Sequence, residues 1–552
     1  MASVRQTGTT PELSVQIILA SLGYRFSVKA SDLPGTPDII NRASRWAIFV
    51  HGCFWHAHSC YLWKVPKTNR KFWKKKFDDN QRRDKAKRRQ LQQLGYSVLT
   101  LWQCQLKDES KAKNKLLNFL TKADAGNGHV VSVNDQQPQP TQVTASYRFN
   151  EKGKYVSRIV IRRDGKRFET RRDSIPGIST KQDLRSMFDQ VFLRSTKPAW
   201  HAPLSGAVRT ADLFSGCGGL SLGVREASTA LGKRFESVFA VDNDAPSLGV
   251  YKRNFNPAVP IDRDIRSVLS GKIGDRLKSE EKSLLKKMGA IDICLAGSPC
   301  QGHSDLNNHT RRKDTRNELY GRVARFAEIA EPTHIIAENV PTLIHGKDRT
   351  LDSTIARLEQ LGYAVDIATV NLVDLGVPQR RKRHVLIASN QSISIDEIIK
   401  RHKVSNERTL RWAIADLARR APGTLLDTPS KLHQDNVERI QYLMKHDEYD
   451  LLNDLRPICH QDHHSYVSMY GRLRYDEPAQ TITSGFGSPG QGRYIHPTCR
   501  RTLTPHEAAR LQFFPDTFDF SSVKLRTSLA NMIGNAVPSL LSYTFAMEIL
   551  GR

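Results

Sequence analysis

What the chain has little of narrows it first. It carries only eight cysteines in 552 residues, too few and too scattered for a disulfide scaffold in a chain of this length. Cys53, Cys60 and Cys104 form a set near the front and the others are single. That pattern fits metal-binding and catalytic thiols in a reducing compartment. No stretch reaches the ~18 consecutive apolar residues of a membrane span, so no membrane role is expected. The N-terminus has no charged segment followed by an apolar one, so no secretory signal is read. Acidic residues are the minority, 56 Asp and Glu against 84 Lys and Arg, a formal charge of +28. The basic excess is spread along the chain rather than held in a tail. A polyanion, most simply nucleic acid, is the expected partner. No repeat of solenoid length is visible. The length exceeds one ordinary core, and about two to four domains are expected.

Residues 9–105 read as an α/β unit. Thr10-Pro11-Glu12 starts a helix, with Pro in the first turn. Leu13, Ile17, Ile18 and Leu22 are expected to share its apolar face, and Gly23 to end it. Trp46–Val50 and Ser97–Trp102 read as buried strands, separated by a strongly basic helix over 68–93. Residues 123–142, with Ala-Asp-Ala-Gly-Asn-Gly and Gln-Gln-Pro-Gln-Pro, read as a linker. Behind it, 143–200 is expected to form a small module of strands and one helix. Asp164-Gly165 supplies its hairpin turn, and Leu184, Met187, Phe188 and Val191 form its helical stripe. Its basic strands (Arg158, Arg162, Arg163, Lys166, Arg167) are either a DNA-binding face or the solvated face of a spacer. From 208 onward strands alternate with helices, which predicts a doubly wound, mostly parallel Rossmann-like sheet with ligands at the carboxyl ends of its strands.

Six motifs in that rear half carry chemistry. Asp212-Leu-Phe214-Ser-Gly216-Cys-Gly218-Gly219 is a Gly-rich turn after the first strand, where a cofactor can approach the backbone. Val241-Asp242-Asn243-Asp244 places acids at the end of the second strand, suited to ribose hydroxyls. Asp264-Ile265 follows a third segment. Ser298-Pro299-Cys300-Gln301 ends an apolar strand in a Pro-fixed turn that presents one thiol, a sensible position for a nucleophile. Glu338-Asn339-Val340 and Gln379-Arg380-Arg381-Lys382-Arg383 come later.

Taken in order, with Arg501–Pro515 and Gly534-Asn535-Ala536-Val537-Pro538 behind them, these motifs resemble those of the DNA cytosine-C5 methyltransferases across roughly 208–552. The resemblance implies S-adenosylmethionine as cofactor. Phe214 would pack against it, Asp242 hold its ribose and Asp264 its adenine, with Gly216, Gly218, Asn243, Ile265, Pro299, Asn535 and Ala536 around it. Cys300 would add to cytosine C6, because C5 is too poor a nucleophile to take a methyl group directly. Glu338, if protonated, would donate to N3. Arg383 would hold O2, and Arg381 would orient Glu338 or the backbone. A base inside a duplex must be flipped out to reach Cys300, at a cost of about a few kcal/mol offset by phosphate contacts. The family keeps its target-recognition domain where 391–499 lies, leaving 205–390 and 500–552 as the catalytic domain. Cys459-His-Gln-Asp-His-His464 within that segment is read as a DNA-facing histidine cluster in preference to a metal site.

The front carries a second constellation, His51-Gly-Cys53-Phe54-Trp55-His56-Ala-His58-Ser-Cys60. Cys53, His58, Cys60 and the distant Cys104 would make a tetrahedral Cys3His zinc site, although Cys-x4-His-x-Cys is no standard finger spacing. Gly35-Thr-Pro-Asp38 puts an acid at the mouth of a strand pair, suited to a divalent cation. From Thr9-Thr10-Pro11-Glu12 to Leu101-Trp-Gln-Cys104 the segment resembles the very-short-patch-repair T·G mismatch endonucleases, placing such a domain at 1–122 with a restriction-endonuclease-like α/β fold. The resemblance implies Mg2+ on Asp38, His56 as general base or water-positioning group assisted by His51, and Glu12 in support. Phe54 and Trp55 would wedge beside the mismatch, and the zinc would be structural.

The expected protein is a fusion: a nicking endonuclease acting at T·G mismatches left by 5-methylcytosine deamination, and a DNA (cytosine-5-)-methyltransferase. Two alternatives stand beside it, a restriction–modification fusion whose front cleaves unmethylated DNA, and a front that only anchors DNA. Double-stranded DNA is the partner, with the chain monomeric on it in a prokaryotic cytoplasm.

Overall fold

The front of the chain builds a four-stranded sheet between helices. Helix α1 (Thr10–Ser21) buries Val15, Ile18 and Leu19, whereas Leu13 is exposed. The apolar face is therefore Val15, Ile18, Leu19 and Leu22, not the one built on Leu13, because the i, i+3, i+4, i+7 spacing follows the helical turn more closely. Strands β1 (Ser27–Val28), β2 (Ile39–Asn41), β3 (Trp46–His51) and β4 (Ser97–Trp102) lie in that order, antiparallel except for the parallel pair β3–β4. The central strand β3 is buried on both faces, as its apolar run Trp-Ala-Ile-Phe-Val requires. Residues of α1 and α3 (Glu109–Gly126) cover one face. Leu91 of α2 (Arg70–Gln93) is in the cluster on the other.

The structure, a computed structural model, describes residues 9–22, 24, 26–28, 30–42, 44–60, 69–126, 142–150, 153–179, 182–299, 319–342, 350–461 and 468–551. It divides into two units, Met1–Gln139 and Pro140–Arg552. No described helix is long and apolar enough to cross a membrane.

The second unit begins with an antiparallel sheet, β5 (Thr144–Phe149), β6 (Tyr155–Ile161), β7 (Arg167–Asp173) and β8 (Trp200–His201), in chain order. Helix α4 (Leu184–Arg194), capped by the Asp183 carboxylate accepting from the Ser186 N–H, packs Met187, Phe188 and Val191 onto one sheet face. That face does not carry a solvated basic surface. Arg158 and Arg172 on it are buried, Arg172 2.8 Å from Glu226 and Arg158 donating to the Tyr543 hydroxyl at 3.1 Å. Arg408 pairs with Asp189 beside them. A buried guanidinium needs such partners, and these come from the body of the unit.

The main sheet runs β11-β10-β9-β12-β13-β16-β14, with β9 (Ala207–Leu213), β10 (Arg234–Asp242), β11 (Val259–Asp262), β12 (Ile293–Gly297), β13 (His334–Asn339), β14 (Ala364–Asn371) and β16 (Lys382–Ser389). All neighbours are parallel except those of β16, which runs against β13 and β14. This is a Rossmann-like, parallel-rich α/β sheet. Strand order reverses between β9 and β12, so the crevice outside their carboxyl ends is a switch point, where such folds bind ligands. Strand β16, whose Val385-Leu-Ile-Ala388 core is fully buried, separates β14 from β13. Helix α5 (Gly219–Ala230) lies against the buried helix Ser539–Leu550, so closely that a Cβ at Gly223 would sit 2.0 Å from the Ser539 carbonyl oxygen. A two-residue parallel pair, β15 (Gln379–Arg380) with β17 (Ala479–Gln480), ties the 391–499 segment back to the sheet.

Candidate active sites

At the switch point the turn after β9 is shaped by positive φ at Phe214 (60°), Gly216 (51°) and Gly218 (99°). The Gly216 N–H donates to the Asp242 carboxylate at 2.7 Å, and the Asp244 N–H donates to its other oxygen at 2.9 Å. Asp242 is thereby fixed at the end of β10, and burial raises its pKa against those hydrogen bonds. Among the described residues no atom lies within 4 Å of a Cβ built at Gly216, which leaves that backbone open, whereas one at Gly218 would collide with Phe255 at 2.2 Å. Asp264 caps the short helix behind it and takes the Arg266 guanidinium at 2.6 Å, which lowers its pKa. Ile265 is buried, Asn243 exposed. Asn535 is exposed and Ala536 half-buried, next to Val537, whose carbonyl oxygen lies 2.3 Å from a Cβ built at Gly219. An open glycine backbone flanked by oriented acids suits a nucleoside cofactor such as S-adenosylmethionine.

Beneath this turn Asp212 is buried and was not singled out from sequence. The Ser221 hydroxyl donates to it at 2.6 Å, and the Tyr251 hydroxyl links Ser221 and Ser237 at 2.8 and 2.9 Å. Burial pushes the Asp212 carboxyl up to about 7.

Glu338 ends β13, buried, with Arg383 of β16 2.6 Å from its carboxylate. Burial raises the Glu338 pKa, and Arg383 and Arg381 pull it down. The antiparallel strand β16 is what brings residue 383 back to residue 338. Arg381 points elsewhere: its guanidinium donates to the carbonyls of Ile482 at 2.8 Å and Ala536 at 3.2 Å. Gln379, also buried, donates to Leu511 and Gln512, and Gln512 donates to Ile533, Gly534 and Ala536. These two glutamines were missed as linkers because amide hydrogen bonding to remote backbone leaves no local pattern. The Asn339 amide donates to the Ser298 hydroxyl at 2.8 Å, joining the end of β13 to the turn after β12. Pro299 is half-buried. Cys300, Gln301 and part of the Cys459–His464 cluster lie outside the described residues.

In the first unit a cleft of about 810 Å³ is lined by Glu12, Asp38, His51, His56, Asp84 and Lys87, among others. Asp38 accepts from the Val50 N–H at 2.7 Å, and burial pushes its carboxyl up to about 6. Glu12 accepts from the Thr9 hydroxyl at 2.7 Å. The His51 and His56 rings stack, centroids 3.9 Å apart. His56 Nδ1 lies 2.5 Å from the Asp84 carboxylate, and His51 Nδ1 lies 4.0 Å away. Burial and the neighbouring His56 lower His51 to about 4. Asp84 is the member that sequence reasoning missed. It sits in the basic helix α2, and nothing local separates it from Asp78 and Asp79, which are exposed.

The ligand atoms of Cys53, His58, Cys60 and Cys104 all lie within 4.8 Å of one another, because the parallel pairing of β3 with β4 carries Cys104 to the turn after β3. Burial pushes the Cys53 thiol up to about 12. Three thiols and an imidazole at this spacing fit a tetrahedral zinc ion. Phe54 and Trp55 meet edge to face with centroids 5.1 Å apart, Phe54 meets Trp73 at 5.5 Å, and Trp55 is 37% exposed.

An open glycine turn at a switch point, with acids at successive strand ends, defines a nucleotide-cofactor site of the Rossmann-like class. The chain belongs to the C-5 cytosine-specific DNA methylase family, matched over residues 208–551, and its front to the DNA mismatch endonuclease Vsr family, matched over residues 1–62. It is 42% identical to the type II methyltransferase M1.BsuMI of Bacillus subtilis over 403 residues, 72% of this chain and 93% of that one. That span cannot fit behind residue 208 and so reaches into the β5–β8 module. The front is 42% identical over 120 residues to the type II nicking enzyme V.XorIIP of Xanthomonas oryzae pv. oryzae, 22% of this chain and 88% of that one. It is 39% identical over 117 residues to the DNA mismatch endonuclease Vsr of Escherichia coli, 21% of this chain and 75% of that one. One chain thus joins a mismatch-endonuclease domain to a cytosine-C5 DNA methylase.

Proposed function

We propose that the rear site methylates cytosine C5 in a specific duplex sequence and that the front site nicks beside T·G mismatches arising at that sequence. The observation carrying the methylase assignment of roles is the buried Glu338–Arg383 pair, 2.6 Å apart, at the strand end joined to the turn that leads into Cys300. Cys300 adds as thiolate to C6 of a flipped cytosine, which makes C5 enamine-like. The addition builds charge on N3 and O2. Glu338, whose pKa burial raises, donates a proton toward N3, and Arg383 is placed to hold both Glu338 and O2. Arg381 acts on position, holding the 482 and 536 backbones. When bound, S-adenosylmethionine would supply the electrophilic methyl group and leave as its thioether; loss of the C5 proton to a base from solvent and expulsion of the Cys300 thiolate from C6 then restore the ring and free the enzyme. Asp242, Asp264, Phe214 and the open Gly216 backbone are the residues to hold it.

In the front site Asp84 fixes the His56 imidazole through Nδ1, leaving Nε2 to accept a proton from the attacking water. His51, held neutral by burial, packs against it. Asp38, with Glu12 nearby, would hold Mg2+, which would polarise the scissile phosphate when bound. Cys53, His58, Cys60 and Cys104 would hold a structural Zn2+ on a restriction-endonuclease-like α/β domain. The joint purpose is chemical: deamination of the methylase's own product leaves T·G, which the front site cleaves.

The test uses the full chain with Mg2+ and radiolabelled S-adenosylmethionine on genomic-scale DNA, with bisulfite mapping of the product. Methylcytosine in one short motif is expected. Duplexes carrying T·G at that motif should then be nicked, and unmethylated matched duplexes should not. Cleavage of unmethylated matched DNA would instead make the chain a restriction–modification fusion. No methyl incorporation by folded, cofactor-binding protein would overturn the methylase roles.

A further inference from the structure

The β5–β8 module turns two unlike faces outward and inward. Its inner face, with Arg158 and Arg172, is locked onto α4, Glu226 and Tyr543. The outer face follows from the strand register. Arg148 pairs with Ser157, Ser157 with Arg171, and Arg171 with Trp200, so these four stand in one row across all four strands on the same side. Glu169, two residues along, pairs with Ile159, and Arg167 pairs with Ile161, which puts both on that face as well. Arg148 is exposed, the side chains of Arg167 and Arg171 are 53% and 39% exposed, and Trp200 is 52% exposed. The Arg171 guanidinium lies over Trp200 at 4.4 Å and Tyr155 at 5.2 Å, and Glu169 holds it through two hydrogen bonds of 3.0 and 3.2 Å. The adjoining hairpin carries Lys166, 70% exposed.

We propose that this outer sheet face is a second duplex-DNA contact, belonging to the methylase half. The sign of the charge and its form select the partner. The cations are mostly guanidinium groups, suited to phosphate oxygens and base edges, and one is held over aromatic rings. The four strands, about 4.8 Å apart, span about 14 Å, enough to reach the phosphates on both sides of a major groove about 12 Å wide. The module goes with the methylase and not with the nicking domain, because the match to the Bacillus subtilis methyltransferase extends into it. Its anchoring places it at the amino-terminal end of the main sheet: Gly232, just ahead of β10, packs on Phe168, and the Arg163 N–H donates to Gly551. The cytosine site is at the carboxyl end. The contact therefore adds affinity for DNA outside the recognition sequence and leaves the choice of base alone.

The inference takes its partner from the methylase reading, and the test separates the two. The full chain carrying Arg148→Glu, Lys166→Glu and Arg167→Glu together is compared with wild type for methyl transfer to long DNA over a range of salt. The expected result is a KM for DNA raised about tenfold or more at moderate salt, and a salt slope shallower by up to about 2.7, since each phosphate contact contributes ~0.9. The methylated sequence and the turnover at saturating DNA should stay as in wild type. Trp200→Ala alone should raise KM by a smaller factor. An unchanged KM and slope, with methyl transfer intact and the melting profile preserved, overturns the proposal. So does a changed oligomeric state with unchanged DNA binding, which would make the face a protein interface. If wild type transfers no methyl group at all, the methylase reading is what fails.

Discussion

The front and rear sites reach similar ends by opposite routes. In the first unit most of the chemistry lies in one ten-residue segment, from His51 to Cys60, and only Glu12, Asp38, Asp84 and Cys104 come from elsewhere. In the second unit the site is assembled from the ends of β9, β10, β12, β13 and β16, with backbone from 482 and 536 tied in by Arg381. A short segment can be read as a unit. A switch-point site depends on strand order, and its supporting residues are spread over the whole sheet. The same comparison predicts that damage to one site spares the other.

The largest effect should come from separating the two chemistries. Cys300→Ser is expected to lower methyl incorporation by at least about 10³-fold, since it removes the proposed nucleophile, while nicking of T·G duplexes stays within about twofold. Asp84→Asn should do the reverse, costing nicking about 10²-fold or more by releasing His56, with methylation unaffected. Loss of both activities in either variant would break the comparison.

Next in size is the internal support of each unit. Arg172→Leu leaves the half-buried Glu226 without its 2.8 Å partner and should destabilise the rear unit by about 1–3 kcal/mol, seen as a lowered melting transition. Cys104→Ala, or chelation, should lower only the transition of the front unit, because it removes one of four converging donors. Calorimetry of the full chain resolves which transition moves.

The smallest effect is in pH. Asp38 must be ionised to hold a cation, and burial sets its pKa at about 6. Nicking should therefore fall as pH drops through about 6, with His51, at about 4, still neutral. Higher Mg2+ should shift the fall to lower pH, since proton and cation compete for the same oxygens. Because the folded-state pKa is above the ordinary 3.8, the folded state binds this proton more tightly than the unfolded chain does. The Asp38 contribution to stability therefore declines as pH rises between about 4 and 6. A pH-independent nicking rate across that range would exclude Asp38 from the step.

Legibility followed sequence distance. Cys53, His58 and Cys60 were visible as a set, and the distant Cys104 joined them once two buried strands were expected side by side. The Glu338 and Arg383 motifs were visible one by one, but their pairing needs β16 to run back against β13. Asp84 was passed over because its sequence neighbourhood does not differ from that of ordinary acids, and Asp212, which opens the Gly-rich motif, was given no role of its own. Only their surroundings, a histidine pair and a buried hydroxyl network, set them apart. Arg158 was read as part of a basic surface, and it is an internal charge balanced by residues from α5 and the C-terminal helix.

By itself the sequence determined the two families, the Rossmann-like alternation of strands and helices in the rear half, and the residue types able to do each chemistry, because these depend on motif order and local periodicity. Tertiary structure alone decided which groups face one another: Arg383 on Glu338, Asp84 on His56, Arg381 on the 536 backbone, and Arg172 turned inward while Arg171 faces out. Burial, partner distance and the face a strand residue takes are set by elements far apart in the chain, and local sequence carries no record of them.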